Sequence, residues 1–262
     1  MKLPVWFVDA FCTSEPFSGN PAAVCLLDRW LADGLMQSIA AQHNLSETAF
    51  LLREGDAYSI RWFSPSAEVR LCGHATLASG FVVRAFVEPG VDEVRFVSAG
   101  GRLRVLPDAE HDLSLELTAD PPIPMLPPLA GLGEVLGVEP VEVVRGLMCP
   151  IAILPGEEDV RSARVEIHGL AALTPRLAIT APGKDVDFVS RFFAPDLGVA
   201  EDPVTGSAHA MLVPLWSRRL ARPRLHARQL SARGGELFCE DGGDRVRLAG
   251  RTRLYLRGEI EL

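Results

Sequence analysis

The sequence predicts an α+β fold of two similar domains, each a rolled, mostly antiparallel sheet around a central helix. The first observation behind this is an internal repeat. Phe193–Leu212 and Phe63–Ala78 both run from the end of an apolar strand, through Phe-Ala-Pro or Phe-Ser-Pro and a loop bearing an acidic residue, to a glycine that opens a helix of small and apolar residues. The second is a shared landmark: Ser98-Ala99-Gly100-Gly101-Arg102-Leu103 follows one copy, and Ser231-Ala232-Arg233-Gly234-Gly235-Glu236-Leu237 follows the other. Pro65 precedes Ser98 by 33 positions and Pro195 precedes Ser231 by 36, the constancy of order and scale that a duplicated domain requires. The third is that the helix opened by Gly73 carries almost no charge through Val83, and a helix apolar on every face is buried on every face.

Taken in order, Val5–Phe11 and Ala22–Leu27 are short apolar runs that read as strands, joined by a polar turn over Thr13–Asn20. Gly19, Asn20 and Pro21 are turn formers first, and a Gly-Asn pair that lends N–H groups to a ligand second. Asp33 is the expected N-cap of a helix over Gly34–His43, which Asn44 stops. Ser46–Leu52 and Tyr58–Phe63 read as antiparallel strands leading into the first repeat copy, and Val94–Ser98, Arg102–Leu106 and Leu113–Leu117 complete the sheet around the Gly73 helix.

Composition then shifts. Asp120–Pro128 holds five of the chain's 20 prolines and cannot be regular structure, so the boundary falls here, giving domains 1–118 and 119–262. The second half repeats the plan with strands over Cys149–Leu154, Leu177–Thr180 and Asp187–Phe193, a helix over Gly206–Leu220, and closing strands around Leu237, Val246 and Leu254–Leu256. Gly131, Gly133 and Gly137 resemble a dinucleotide fingerprint, but prolines precede them where a strand is required and the third glycine comes one position late.

Composition bounds the function. Hydrophobic residues make up 48% and charged residues 23%, a folded globular chain. A net charge of −8 argues against nucleic-acid binding, and Arg218, Arg219, Arg222, Arg224 and Arg228 read as a solvated helix end, with a subunit contact as the second reading. There is no signal-peptide pattern and no membrane-length apolar run, so a cytoplasmic protein without membrane partners is expected. The five cysteines are scattered and never paired as C-x-x-C, which suggests neither disulfides nor zinc; no helical His spacing supports another metal. Lys2 and Lys184 lie outside every motif, so a pyridoxal Schiff base is not expected, and the chemistry is expected to need no cofactor.

If the two repeat copies meet, Cys72, Gly73 and His74 converge with Asp202, Thr205, Gly206 and Ser207, and two helix N-termini would clamp a small anionic ligand. Glu47 stands at the head of an otherwise apolar strand, where desolvation would raise its pKa toward that of a useful general acid/base; a rim residue capping a loop is the competing reading. His209, three positions into the second helix, reads as a satisfied core histidine.

Four blocks in this order resemble the phenazine-biosynthesis PhzF-like family over nearly the whole chain. They are Ser18-Gly19-Asn20-Pro21-Ala22-Ala23-Val24, Asn44-Leu45-Ser46-Glu47-Thr48, Leu71-Cys72-Gly73-His74-Ala75-Thr76 and Glu201-Asp202-Pro203-Val204-Thr205-Gly206-Ser207-Ala208-His209. The resemblance implies the diaminopimelate epimerase-like fold, with the site between two domains. It implies Glu47 as the catalytic acid/base and His74, Asp202 and Ser207 as holders of the substrate's polar groups. It further implies an isomerase acting without metal or organic cofactor, since the family's type enzyme shifts a hydrogen within a dihydro-hydroxyanthranilate. Backbone N–H groups at Gly73 and at Gly206 and Ser207 would stabilise the substrate's carboxylate and developing charge.

Relatives of this fold that epimerise amino acids use two thiols. This chain keeps Cys72 but has Asp202, Pro203 and Val204 where the second would lie, which leaves a one-thiol epimerase or dehydratase using Cys72 as the alternative. A non-catalytic metabolite-binding protein is the second alternative. A homodimer is compatible with the resemblance.

Overall fold

A computed structural model describes residues 2–127 and 129–262. Met1 and Pro128, the last residue of the proline-rich boundary segment, lie outside the described residues. The chain divides into two compact units: Met1–Leu117 with Leu248–Leu262, and Thr118–Arg247.

In the first unit, β1 (Lys2–Cys12) and β2 (Asn20–Leu27) form an antiparallel pair, β3 (Glu47–Glu54) adds parallel to β2, and β4 (Ala57–Phe63) adds antiparallel to β3. The short β5 (Glu68–Val69) and then β6 (Val94–Ser98) both pair with β4, and β7 (Gly101–Asp108) and β8 (Asp112–Thr118) continue as a meander. The last strand, β17 (Arg245–Glu261), pairs with both β1 and β8, so this sheet rolls up on itself. Helix α1 (Asp33–His43) covers it outside, with Met36, Ile39 and Ala40 packed on Leu3, Val5, Ala23, Cys25, Phe50 and Phe63.

Helix α2 (Gly73–Val82) is the axis, buried at every position but Phe81, and it packs on β1, β2, β3 and β7. Its approach to β7 is close: a Cβ on Gly80 would stand 2.5 Å from Val105 Cγ1. Gly80→Ala is therefore expected to destabilise the protein by about 1–3 kcal/mol through overpacking, despite alanine's better helix propensity. A urea unfolding midpoint unchanged by the substitution would contradict that close approach.

The second unit repeats the pairing scheme. It comprises β9 (Ile123–Pro124), α3 (Leu132–Leu136), β10 (Glu142–Arg145), β11 (Pro150–Ile153), α4 (Glu157–Ser162), α5 (Ile167–Leu173), β12 (Leu177–Pro182), β13 (Phe188–Ala194), β14 (Val199–Asp202), α6 (Gly206–Leu220), β15 (Arg224–Gln229) and β16 (Gly235–Asp241). β10 and β11 are antiparallel, β12 is parallel to β11, and β13 is antiparallel to β12. The short β14 and then β15 pair with β13, and β16 pairs with β15. That is the order and sense of β1 through β7, which establishes the duplication in hydrogen bonds as well as in sequence. Helix α6 is the counterpart of α2, buried at ten positions including His209 and Trp216.

Proline 214 inside α6 lacks the N–H that would bond Ala210, and the freed Ala210 carbonyl accepts instead from the Asp120 N–H at 3.0 Å. The proline-rich segment is thus fastened to α6 where it enters this unit.

Two sequence expectations change. The second domain was expected to run over 119–262, but Leu248–Leu262 belongs to the first unit, because β17 pairs with β1 from Lys2↔Glu261 to Cys12↔Arg251. Asp33 does not cap α1. The N-cap is Ala32, and the Asp33 carboxylate instead meets Arg61 Nη1 at 2.8 Å, a charge-assisted bond that outcompetes neutral backbone N–H groups. Asn44 stops α1 as expected, in a left-handed conformation with its N–H on Ala40 O.

Four of the clustered arginines are ion-paired: Arg219 with Glu142, Arg222 with Asp187, Arg224 with Glu240 and Arg228 with Glu236. All five cysteines are buried thiols. No helix among the described residues is long and apolar enough to cross a membrane.

Candidate functional site

In the first unit the fold gathers four predicted side chains at the N-terminal end of α2. The parallel register of β2 and β3 sets Ala22 against Glu47, so Asn20 at the start of β2 and Glu47 at the start of β3 are near neighbours. Gly19 holds φ +79°, and a Cβ there would lie 2.5 Å from Ala10 O; only glycine lets the chain turn into Asn20 so tightly. Cys72 is the N-cap residue of α2, with extended backbone, and Gly73 and His74 open its first turn, where no acidic side chain offsets the positive end of the helix dipole.

His74 is the hub. Its Nε2 lies 3.2 Å from Glu47 Oε2, its Nδ1 lies 3.1 Å from Asn20 Nδ2, and Cys72 Sγ stands 3.5 Å from Nδ1 and 3.9 Å from Nε2. The Asn20 amide nitrogen is a donor, so Nδ1 accepts and the ring proton sits on Nε2, toward the carboxylate. Burial pushes the His74 pKa down to about 3, which makes this a neutral imidazole beside a carboxylate rather than an ion pair.

The second unit builds its own cluster at the head of α6. Thr205 is the N-cap residue; its hydroxyl donates to Asp202 Oδ2 at 2.5 Å, and its carbonyl accepts from His209 Nδ1 at 2.8 Å. Gly206 is buried and Ser207 half-buried in the first turn. Sequence reasoning missed Gln229, which is almost fully buried at the end of β15 and binds this turn from both sides. Its Oε1 accepts from the Thr205 N–H at 2.9 Å, and its Nε2 donates to Asp202 O at 2.7 Å and reaches Thr205 Oγ1 at 3.2 Å. Ser231, part of the repeat landmark, donates to Pro203 O at 2.8 Å. Arg191 grips Glu201 bidentately at 2.7 and 2.9 Å, anchoring the strand that leads in. His209 is fully buried against Phe188 with its Nδ1 bonded to the Thr205 carbonyl, but its Nε2 has no hydrogen-bond partner among the described residues, so the core histidine read from the sequence is satisfied on one side only.

Within each unit, then, the predicted residues come together: Asn20, Glu47, Cys72, Gly73 and His74 in one, and Asp202, Gly206 and Ser207 in the other.

Burial also pushes the His209 pKa down, to about 4. For both histidines the unfolded chain binds a proton near pH 6.5 while the folded chain resists until far lower pH, so the unfolded state holds more protons in between. Their contribution to stability is fully present above about pH 6.5 and falls away as pH drops toward the folded values. NMR titration is expected to show both imidazoles neutral well below the ordinary histidine range; midpoints near 6.5 would contradict the burial that enforces neutrality.

A duplicated α+β chain with a buried helix at the centre of each sheet, and with acid/base-capable side chains at the helix heads, has the diaminopimelate epimerase-like fold. Within that fold the chain belongs to the family described as phenazine biosynthesis-like protein (PhzC-PhzF), whose profile matches residues 8–130 and 151–258. It is 50% identical to a Pseudomonas aeruginosa protein named an uncharacterized isomerase, with 100% of both chains covered, and 43% identical, at the same coverage, to a second protein so named from that organism. The crystal structure of a phenazine biosynthesis protein of the PhzF family from Enterococcus faecalis superposes with a TM-score of 0.92 at 42% identity, covering 100% of both chains.

Proposed function

We propose that this protein is a cofactor-independent isomerase that moves a proton on a small carboxylated, cyclic substrate, with Glu47 as the general acid/base. The observation that carries the reading is the pairing of the Glu47 carboxylate with a buried, neutral His74 imidazole at 3.2 Å. A protonated histidine there would quench the carboxylate's basicity; a neutral one leaves the carboxylate able to take a proton. The Glu47 side chain is only 13% exposed, so little water has to be displaced from it before it meets a carbon acid.

The backbone N–H groups of Gly73 and His74, at the positive end of α2, suit the charge that develops as the proton leaves. Asn20, whose amide faces His74, acts by fixing the imidazole tautomer. Asp202, Gly206 and Ser207 are assigned to the substrate's polar groups. The names of the two Pseudomonas relatives, both isomerases, agree with the class of reaction.

The test is NMR-detected deuterium incorporation from D₂O into a panel of small cyclic and acyclic amino and hydroxy acids, including dihydro-hydroxyanthranilate. Exchange into a cyclic carboxylate is the expected result. Binding without exchange anywhere in the panel would replace the enzyme by a metabolite-binding protein. A second reading, Cys72 as a one-thiol base, has one observation in its favour: Cys72 Sγ lies 3.5 Å from His74 Nδ1. Cys72→Ser losing all exchange while Glu47→Gln keeps it would select that reading.

A further inference from the structure

Past Thr252 the last strand runs on beside β1. The register of β1 follows β17 out to Glu261, but β8 stops at Asp112, whose carboxylate accepts from the Thr252 N–H at 3.1 Å. Residues 253–259 are exposed one after another, so neither face of this stretch is covered, and exposure of Gly258, which has no side chain, is exposure of the backbone itself. From this open edge and the order of charges along it we infer that β17 pairs antiparallel with β17 of a second copy of this chain, about a twofold axis at Gly258, to form a homodimer.

A twofold interface is self-complementary: a residue that faces another across it is faced by that residue's copy in return, with both side chains on one face of the sheet. About Gly258, Arg257 faces Glu259 and Leu256 faces Ile260, each pair occurring twice. Opposite charges meet, apolar groups meet, and no like charges are opposed. A centre one residue earlier sets Arg257 against its own copy, and a centre one residue later sets Glu259 against its own copy. A centre at Leu256 carries the pairing through Tyr255, the extra residue of a bulge at which Phe7 pairs with Leu256 and Val8 with Leu254. Of these neighbouring registers, the one about Gly258 is both regular and matched in charge.

The contacts these residues already make are compatible with that pairing. Glu259 meets Lys2 at 3.2 Å between two exposed side chains, a surface ion pair of little energetic weight that a second copy can displace. Arg257 lies over the Phe86 ring at 5.1 Å, which steadies the guanidinium and leaves its rim of N–H groups to meet a carboxylate. Two paired strands alone are marginal in water, and the apolar surface that supplements them is at hand: Phe17 and Tyr255, 65% and 64% exposed, stand edge-to-face at 6.4 Å beside the open edge. Charges on an edge strand ordinarily discourage foreign strands. Here the same two charges admit a partner that carries them in the same order.

The experiment is sedimentation velocity on the full chain at micromolar concentration. The native protein is expected to sediment as a dimer, and Arg257→Glu or Glu259→Arg alone to give a monomer, because each sets like charges opposite one another twice. Arg257→Glu combined with Glu259→Arg restores the pairs in reverse and is expected to bring the dimer back, a rescue that misfolding or a general change of surface charge would not produce. Gly258→Cys reads the geometry: directly opposed residues of an antiparallel pair have Cα atoms about 4.5–5.5 Å apart, inside the range of about 4.4–6.8 Å that a disulfide spans. A Cβ at that position comes no nearer to its surroundings than 3.9 Å, at Leu256 Cδ2, and the five native cysteines are buried. Mild oxidation is expected to link Gly258→Cys into a covalent dimer and to leave Arg253→Cys, well away from the axis, as single chains. A monomeric native protein, a dimer that survives both single reversals, a combined variant that stays monomeric, or a dimer that Gly258→Cys does not cross-link overturns the proposal.

Discussion

Glu47→Gln is expected to lower solvent-hydrogen exchange and turnover by at least the 10²–10⁴-fold that a positioned general acid/base contributes, while leaving ligand binding nearly intact. The amide matches the carboxylate in shape, so His74 keeps a neighbour at the same place and the head of α2 keeps its form. What disappears is the capacity to accept a proton. The readout therefore has two parts, deuterium incorporation and ligand affinity, measured on native protein and variant together. Loss of both would point to a collapsed pocket, and retention of both would remove Glu47 from the chemistry. Cys72→Ser serves as the counterpart: with Glu47 as base it retains exchange.

Gln229→Ala carries the second large effect. It leaves the buried Thr205 N–H without its partner, at about 1–3 kcal/mol, and removes the bond to the part-buried Asp202 carbonyl. Chemical denaturation is expected to show that loss directly. The turn that presents Asp202 and the first N–H groups of α6 also loses its brace, so weaker substrate binding is expected to accompany the lost stability. Gln229→Glu discriminates: its carboxylate still accepts from the Thr205 N–H but cannot donate to Asp202 O, so it should fall between the native protein and the alanine variant. An alanine variant as stable as the native protein would show that the two bonds carry no net stabilisation.

The repeat was legible because each copy marks itself with features that need no knowledge of tertiary structure: a Phe-Ser-Pro or Phe-Ala-Pro stop, a glycine helix start, and a helix without charge. The scheme common to β1–β7 and β10–β16 follows from those marks. Glu47 and His74 were legible for the same reason, being polar residues at the mouths of apolar elements. Gln229 was not. It ends an unremarkable alternating strand, and its role depends on an amide reaching a turn 24 residues earlier.

The Asp33 cap failed because its competitor, Arg61, lies 28 positions away, beyond any local rule. The convergence of Glu47, Cys72 and His74 was invisible to a search along the chain, since one of them rides a strand and the other two sit where a helix begins.

The path of β17 has a consequence for how the protein is made. The second unit is, topologically, an insertion into the first: residues 118–247 are synthesised between β8 and the stretch of β17 that lies along β1. As the chain leaves the ribosome, the second unit can complete its sheet while the first still presents β1 with one bare edge, a template for pairing with other nascent chains. Only when residues 248–261 emerge does Glu261 come to lie opposite Lys2 and the roll close. The polypeptide's earliest strand is thus the one that waits longest for its partner, and the burden of protecting it during synthesis falls on the cell rather than on the fold.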